Sequence, residues 1–199
     1  LIVADLGAAA LIHRALPNLP LHASTQLSGH NAATGQVLAD FGFSRFVLAR
    51  ETSLPDLAAA VGRNPLEVEV FIHGALCVAY SGQCYITHAH TGRSANRGDC
   101  NQACRLPYEV MDDKGRIIAH EKHVLSMKDN NQTDNMRALV DAGVRSFKIE
   151  GRYKDMAYVK NITAHYRKIL DEIIEEREFS EMPLARSSSG STSLKTPTT

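Results

Sequence analysis

Four cysteines, Cys77, Cys84, Cys100 and Cys104, are the only ones in the chain of 199 residues. They are spaced C-x6-C, x15, C-x3-C. Thiols gathered this way bind metal ions or iron–sulfur clusters. A disulfide framework suits the chain less, because its 44% hydrophobic content can build a core without covalent staples. Zinc knuckles place only a few residues between paired cysteines, so the first pair here is wide for zinc. A 4Fe–4S cluster needs four thiolates around a larger core and tolerates irregular spacing. Gly74, Gly82, Gly92 and Gly98 let backbone N–H groups approach cluster sulfurs, and Arg93, Arg97 and Arg105 supply compensating charge. Spacing therefore leaves three readings: a 4Fe–4S cluster, zinc, or buried structural thiols.

Beyond the cysteines, parallel β/α folds collect chemistry at the C-terminal ends of their strands. That rule selects Asp5, Gln26, Arg50, His73, Lys148 and Glu150 as candidates. His73 directly precedes the cysteine stretch, where it can donate a proton or orient a ligand; equally it can be a structural histidine bonded to a backbone carbonyl. Lys148 and Glu150 lie two apart on one strand face, as a catalytic pair or as a buried ion pair. Arg93, Arg97, Arg105 and Arg152 are candidates for phosphate or carboxylate contacts, unless they serve the cluster or pair with Asp99 and Glu150. Tyr80 and Tyr85 can stack on a base or simply pack. Hydrolytic chemistry has weaker support. Ser81 and His73 form no nucleophile elbow, no H-E-x-x-H motif is present, and four clustered cysteines are better explained as ligands than as one nucleophile.

The elements that must position these residues alternate along the chain. Strands are expected at Leu1–Ala4, Leu21–Ser24, Arg45–Ala49, Leu66–His73 and Arg145–Glu150. Helices are expected at Ala8–Ala15, His30–Phe41, Leu54–Val61 and Asp134–Ala142, with a long final helix opened by Asp155. In that helix Tyr158, Val159, Ile162, Tyr166, Ile169, Leu170, Ile173 and Ile174 repeat at helical spacing. Such alternation indicates parallel β/α units, either part of a (β/α)8 barrel or most of a doubly wound sheet. The stretch from Gly74 to about Thr133 is too long for a plain connection. A hairpin, Tyr108–Met111 and Arg116–Ala119, is expected inside it.

Formal charge is zero, so nucleic acid or membrane attraction must come from local patches rather than from bulk charge. No apolar run reaches the roughly 18 residues of a membrane span, and reduced cysteines make the cytoplasm the expected compartment. The chain opens on Leu1 in what reads as the middle of a buried strand, so it is expected to be a fragment lacking N-terminal strands. Residues 1–178 read as the β/α unit, and residues 179–199 as a polar low-complexity tail.

Glu69-Val70-Phe71-Ile72-His73-Gly74-Ala75-Leu76-Cys77, followed after four residues by Gly82-Gln83-Cys84-Tyr85-Ile86, resembles the signature of the peptidase U32 family. Thr87 stands where that signature closes on serine. His22-Ala23-Ser24-Thr25-Gln26, Thr91–Gly98 and Phe147-Lys148-Ile149-Glu150-Gly151-Arg152 extend the resemblance over roughly residues 1–175. Arg93–Arg105 and Leu125-Ser126-Met127-Lys128-Asp129 are most similar to the RNA-hydroxylation branch, which makes 5-hydroxycytidine in 23S ribosomal RNA or, in a sibling group, 5-hydroxyuridine in tRNA. The resemblance implies a TIM-like (β/α)8 barrel, present here in part. It also implies a 4Fe–4S cluster on Cys77, Cys84, Cys100 and Cys104, the fourth ligand position varying among relatives, and prephenate as co-substrate supplying the hydroxyl. The expected function is RNA hydroxylation of cytidine in 23S ribosomal RNA. A collagenase-like U32 protease and a metal-stabilised RNA-binding module without catalysis are the alternatives.

Overall fold

Short apolar runs and capped amphipathic stretches alternate from the first residues, and each becomes a β/α unit. The computed structural model describes residues 1–151 and 154–181. In order these are β1 (Ile2–Val3), α1 (Leu6–Ala15), β2 (Leu21–Ala23), α2 (Ala32–Asp40), β3 (Phe43–Val47), α3 (Leu54–Val61) and β4 (Glu67–Gly74). There follow α4 (Ile86–Thr91), the hairpin β5 (Tyr108–Met111) and β6 (Ile117–Lys122), β7 (Asn130–Asn131), α5 (Met136–Asp141), β8 (Ser146–Glu150) and α6 (Met156–Glu181). Helices α1, α2 and α3 start where Asp5, Asn31 and Ser53 accept the backbone N–H of Ala8, Thr34 and Asp56. Each such cap is worth about 1 kcal/mol and fixes where a loop ends.

The fold is α/β, with five parallel strands in the order β1-β2-β3-β4-β8. Strand β4 is the centre. Val68 to Ile72 are buried on both faces, the pattern of a strand covered on two sides. Phe46, Leu48, Ile72, Met136 and Leu139 belong to one core cluster, against which Ile162, Ile169 and Leu170 of α6 also pack. At the end of β4 the chain passes very close to β8. A Cβ on Gly74 would stand 2.2 Å from the Glu150 carbonyl oxygen, and φ there is +107°, so only glycine fits.

Most elements lie where the pattern places them, to within two residues. Three differ. Strand β7 is two asparagines pairing antiparallel with His73 and Gly74, a contact no apolar pattern announces. Because β8 holds one edge of β4 there, β7 takes the other, the edge left open beyond Glu69 where β3 pairing stops. Helix α4 was not anticipated, being short and rich in Thr and His. In α6 the expected apolar stripe holds for Tyr166 and Ile173, which are buried, whereas Ile174 is 42% exposed because the helix turns it off the core face. Most of the predicted tail, residues 182–199, lies outside the described residues, as does Arg152.

Candidate active site at the C-terminal end of the sheet

The segments leaving β2, β3, β4 and β8 converge on a cavity of about 530 Å³. Its wall includes Gln26 after β2, Arg50 after β3, Cys77 after β4, and Lys148 and Glu150 at the end of β8. The long segment after β4 completes it with Cys84, Cys100, Cys104 and Arg105. All four cysteines therefore face one space, and all are thiols rather than disulfides.

Local hydrogen bonds explain how an irregular segment holds the cysteines. The backbone N–H of Cys84 donates to Asn96 Oδ1 at 2.9 Å. The Thr87 hydroxyl donates to Asn101 Oδ1 at 2.9 Å, and that same oxygen accepts the Ala103 N–H at 3.0 Å, which ties α4 to the stretch bearing Cys100 and Cys104. Arg105 ties both ends of the segment together. Its Nη2 donates to the Leu76 carbonyl at 2.7 Å and its Nη1 to Ser126 Oγ and the Met127 carbonyl at 2.9 and 2.8 Å.

Burial pushes the thiols of Cys77 and Cys104 above the ordinary value, with neighbouring Cys84 adding to the rise at both. Both are thus held as neutral thiols until a cation or cluster binds, and that binding must release protons. Among the described residues no three His, Cys, Asp or Glu side chains converge closely enough to share one metal ion. The four thiols are the donor set a thiolate-bound metal centre would need. The donors are four thiols around one cavity, and its charged wall residues are three cations, Arg50, Lys148 and Arg105, against one carboxylate, Glu150. Arg50 and Lys148 are each paired with a carboxylate, which leaves Arg105, bonded to a hydroxyl and two carbonyls, as the cation beside the four thiols that a thiolate-bound centre would call on.

Arg50 is the most constrained side chain in the wall. Its Nε and Nη2 each donate to a Glu150 carboxylate oxygen at 3.0 Å, a two-pronged pair, and its guanidinium lies 3.9 Å from the Phe71 ring centre. Lys148 does not pair with Glu150. Its ammonium lies 3.0 Å from Glu69, which also accepts from Ser146 and from Arg45. Burial alone would raise the Glu69 carboxyl, but the hydrogen bonds from Lys148 and Ser146 and the charges of Lys148 and Arg45 outweigh it, so the group sits below its ordinary range.

His73 and Asp5 are not among the residues lining the cavity. Asp5 caps α1. The His73 ring turns toward α6, with Nδ1 3.1 Å from the Tyr166 hydroxyl, and that hydroxyl in turn donates to the Ile72 carbonyl at 2.9 Å. Burial lowers the His73 pKa, so the ring is neutral at pH 7. Ser81 is fully buried and donates to Glu51, so no Ser81–His73 pair forms. Arg93 pairs with Asp99 at 3.0 Å on the surface, and Arg97 is exposed in a turn beside the cavity. Tyr80 and Tyr85 are exposed, and Tyr80 rests against His30, with ring centres 5.2 Å apart and its hydroxyl 2.8 Å from Nε2. Sequence reasoning singled out Arg50 by its place at a strand end but not its partner. The Arg50–Glu150 and Lys148–Glu69 pairs join distant segments and leave no local signal.

The model of peptidase family U32 matches residues 1–193. The chain belongs to peptidase family U32. Among curated relatives it is 61% identical over 192 residues to the 23S rRNA 5-hydroxycytidine C2501 synthase of Escherichia coli, covering 96% of this chain and 28% of that protein. It is 36% identical to tRNA hydroxylation protein P1 of Bacillus subtilis, covering 89% of this chain and 44% of that one. A collagenase of Porphyromonas gingivalis is 35% identical over 82% of this chain and 42% of its own. The chain thus spans between about a quarter and a half of the length of these U32 relatives. No solved structure matches it significantly.

Proposed function

We propose that this chain is the cofactor-bearing part of a U32 RNA hydroxylase that makes 5-hydroxycytidine in 23S ribosomal RNA. The observation that carries the reading is the convergence of all four cysteines on one cavity, in a chain 61% identical to such a synthase. Cys77, Cys84, Cys100 and Cys104 hold a 4Fe–4S cluster, and prephenate supplies the hydroxyl. When bound, the cluster contributes electrons and a site at which an oxygen-bearing donor is polarised.

The chain's own residues do the rest. Arg105 fixes the cysteine segment at both ends. Arg50, clamped by Glu150 and Phe71, gives the wall a rigid cation, and Lys148 adds a second. Exposed Tyr80 and Tyr85 offer stacking faces to an unpaired base, and Arg97 a phosphate contact near the cavity. A barrel in the full-length protein agrees with the strand order, since no parallel strand reverses direction of addition as a doubly wound sheet requires. No helix among the described residues is long and apolar enough to cross a membrane.

The protease reading keeps one point in its favour, the likeness to a collagenase. Against it, Ser81 is fully buried on Glu51, away from any substrate, and the Nδ1 of His73 is taken by Tyr166. Anaerobic purification with iron and sulfide analysis, followed by mass spectrometry of ribosomal RNA from a deletion strain, tests the proposal. About four irons and four sulfides per chain are expected, lost in Cys77→Ala or Cys84→Ala, together with loss of the modified cytidine. Stoichiometric zinc, or gelatin cleavage with unaltered ribosomal RNA, would overturn it.

A further inference from the structure

Two buried groups in the cavity wall have no hydrogen-bond partner among the described residues, Thr25 Oγ1 and Arg50 Nη1, and only the second is charged. Arg50 is 10% exposed, and while Nε and Nη2 are taken by Glu150, its Nη1 has neither exposed surface nor a hydrogen-bond acceptor. Buried unpaired donors are rare and costly, most of all on a charged group. The geometry leaves one edge of the guanidinium open. Its face is covered by Phe71 and one side is filled by Glu150, so what remains is the Nη1 end. A planar oxyanion is the natural complement to such an edge.

Directly over Nη1 lies Gly82, itself a wall residue of the cavity. A Cβ there would come within 3.0 Å of Nη1, and φ is +70°. Its turn, Tyr80–Gly82, is anchored by Glu51, which accepts both the N–H and the hydroxyl of Ser81 at 2.8 Å. A glycine thus provides the thin cover between the orphan donor and the cavity.

We propose that Arg50 Nη1 is the anchor of a carboxylate subsite, reached from the cysteine cavity by a small shift of the Tyr80–Gly82 turn, which takes a small organic acid. The assignment rests on the reading of the cavity as the site of a small-molecule hydroxyl donor. Carboxylate is favoured over an RNA phosphodiester because the donor is enclosed and approached only past a glycine, which suits a small ligand. The cavity's size falls within the range of small-molecule sites. Lys148 lies in the same wall with its ammonium held by Glu69 at 3.0 Å.

Calorimetric titration of the anaerobically purified full-length protein with prephenate, malonate and inorganic phosphate tests this, on the native protein, Arg50→Lys and Gly82→Ala. Arg50→Lys keeps the charge opposite Glu150 but loses the open edge; Gly82→Ala keeps Arg50 and crowds its Nη1. Both are expected to weaken prephenate and malonate binding at least tenfold, each titration being run below the variant's own unfolding transition, since Arg50→Lys gives up one prong of the Glu150 pair. If malonate binds through Arg50 and prephenate does not bind, the subsite stands and the choice of donor fails. Equal binding of either acid to the native protein and Arg50→Lys would overturn the subsite while leaving the donor reading intact. No binding of either acid would overturn both, and phosphate binding as tight as malonate would overturn the carboxylate assignment.

Discussion

The β/α framework and the segment between Gly74 and Thr133 are held together by different physics. Every member of the core cluster comes from the framework. In the long segment the only buried hydrophobic is Ala103, while Leu106, Met111, Ile117, Ile118, Val124 and Met127 are exposed. What fixes the segment is polar: Asn96 and Asn101 on backbone N–H groups, Arg105 on two carbonyls, and the four thiols around a common space. Such a region gains little from apolar burial, so its order rests on these polar links.

Apolar truncation should expose the contrast most strongly. Phe46→Ala empties a site that is 1% exposed and is expected to cost about 3–5 kcal/mol in denaturant unfolding. Ile118→Ala, at a residue 67% exposed, should stay within about 0.5 kcal/mol. Equal costs would erase the distinction. Next in size is a polar link inside the framework, from the loop after β3 to the end of β8. Glu150→Gln leaves Arg50 buried without its anion, and a loss of about 2–3 kcal/mol is expected, tempered by the partial exposure of Glu150. A loss no larger than that of a surface pair would mean the link is ornamental.

Removing the proposed cluster sharpens the comparison differently. Iron chelation, or Cys100→Ala, should bring rapid proteolytic cleavage within residues 75–132 while the framework keeps its unfolding midpoint. Cooperative loss of both would show one folding unit.

Acid is expected to act on the framework through Glu69. Its folded pKa lies below the ordinary 4.5, so its contribution to stability is present above that value and is lost as pH falls from 4.5 through the folded pKa. Glu69→Gln should flatten that part of the pH–stability curve. The smallest effect belongs to Arg93→Ala, where a half-exposed pair with Asp99 is worth about 0–1 kcal/mol.

The same division decides what could be read from the sequence. Helix α3 was legible to the residue because Ser53, Pro55 and the periodic Leu57 and Ala60 each mark a local event. The hairpin's first strand was legible for the same reason, a turn sequence, Asp112 to Gly115, flanked by alternating residues. Strand β7 was not, because two asparagines become a strand only by meeting the end of β4. In the site, the cysteines announced themselves by type. Lys148 and Glu150 were drawn to each other by adjacency, yet each found a partner on a neighbouring strand or loop, at Glu69 and Arg50. His73, read as adjacent to the cysteines in sequence, turns to α6 instead, since the direction of a side chain at a strand end is set by what packs beside it.

The pairing of Asn130 with Gly74 places the exit of the long segment beside its entrance. Both ends are therefore fastened at a single point of the sheet, with Ser81 on Glu51 as a further tether along the way. Evolution can lengthen, shorten or rewrite such an insert without disturbing the register of any parallel strand. One scaffold can in this way carry different chemistries, the change being confined to what hangs from the end of β4.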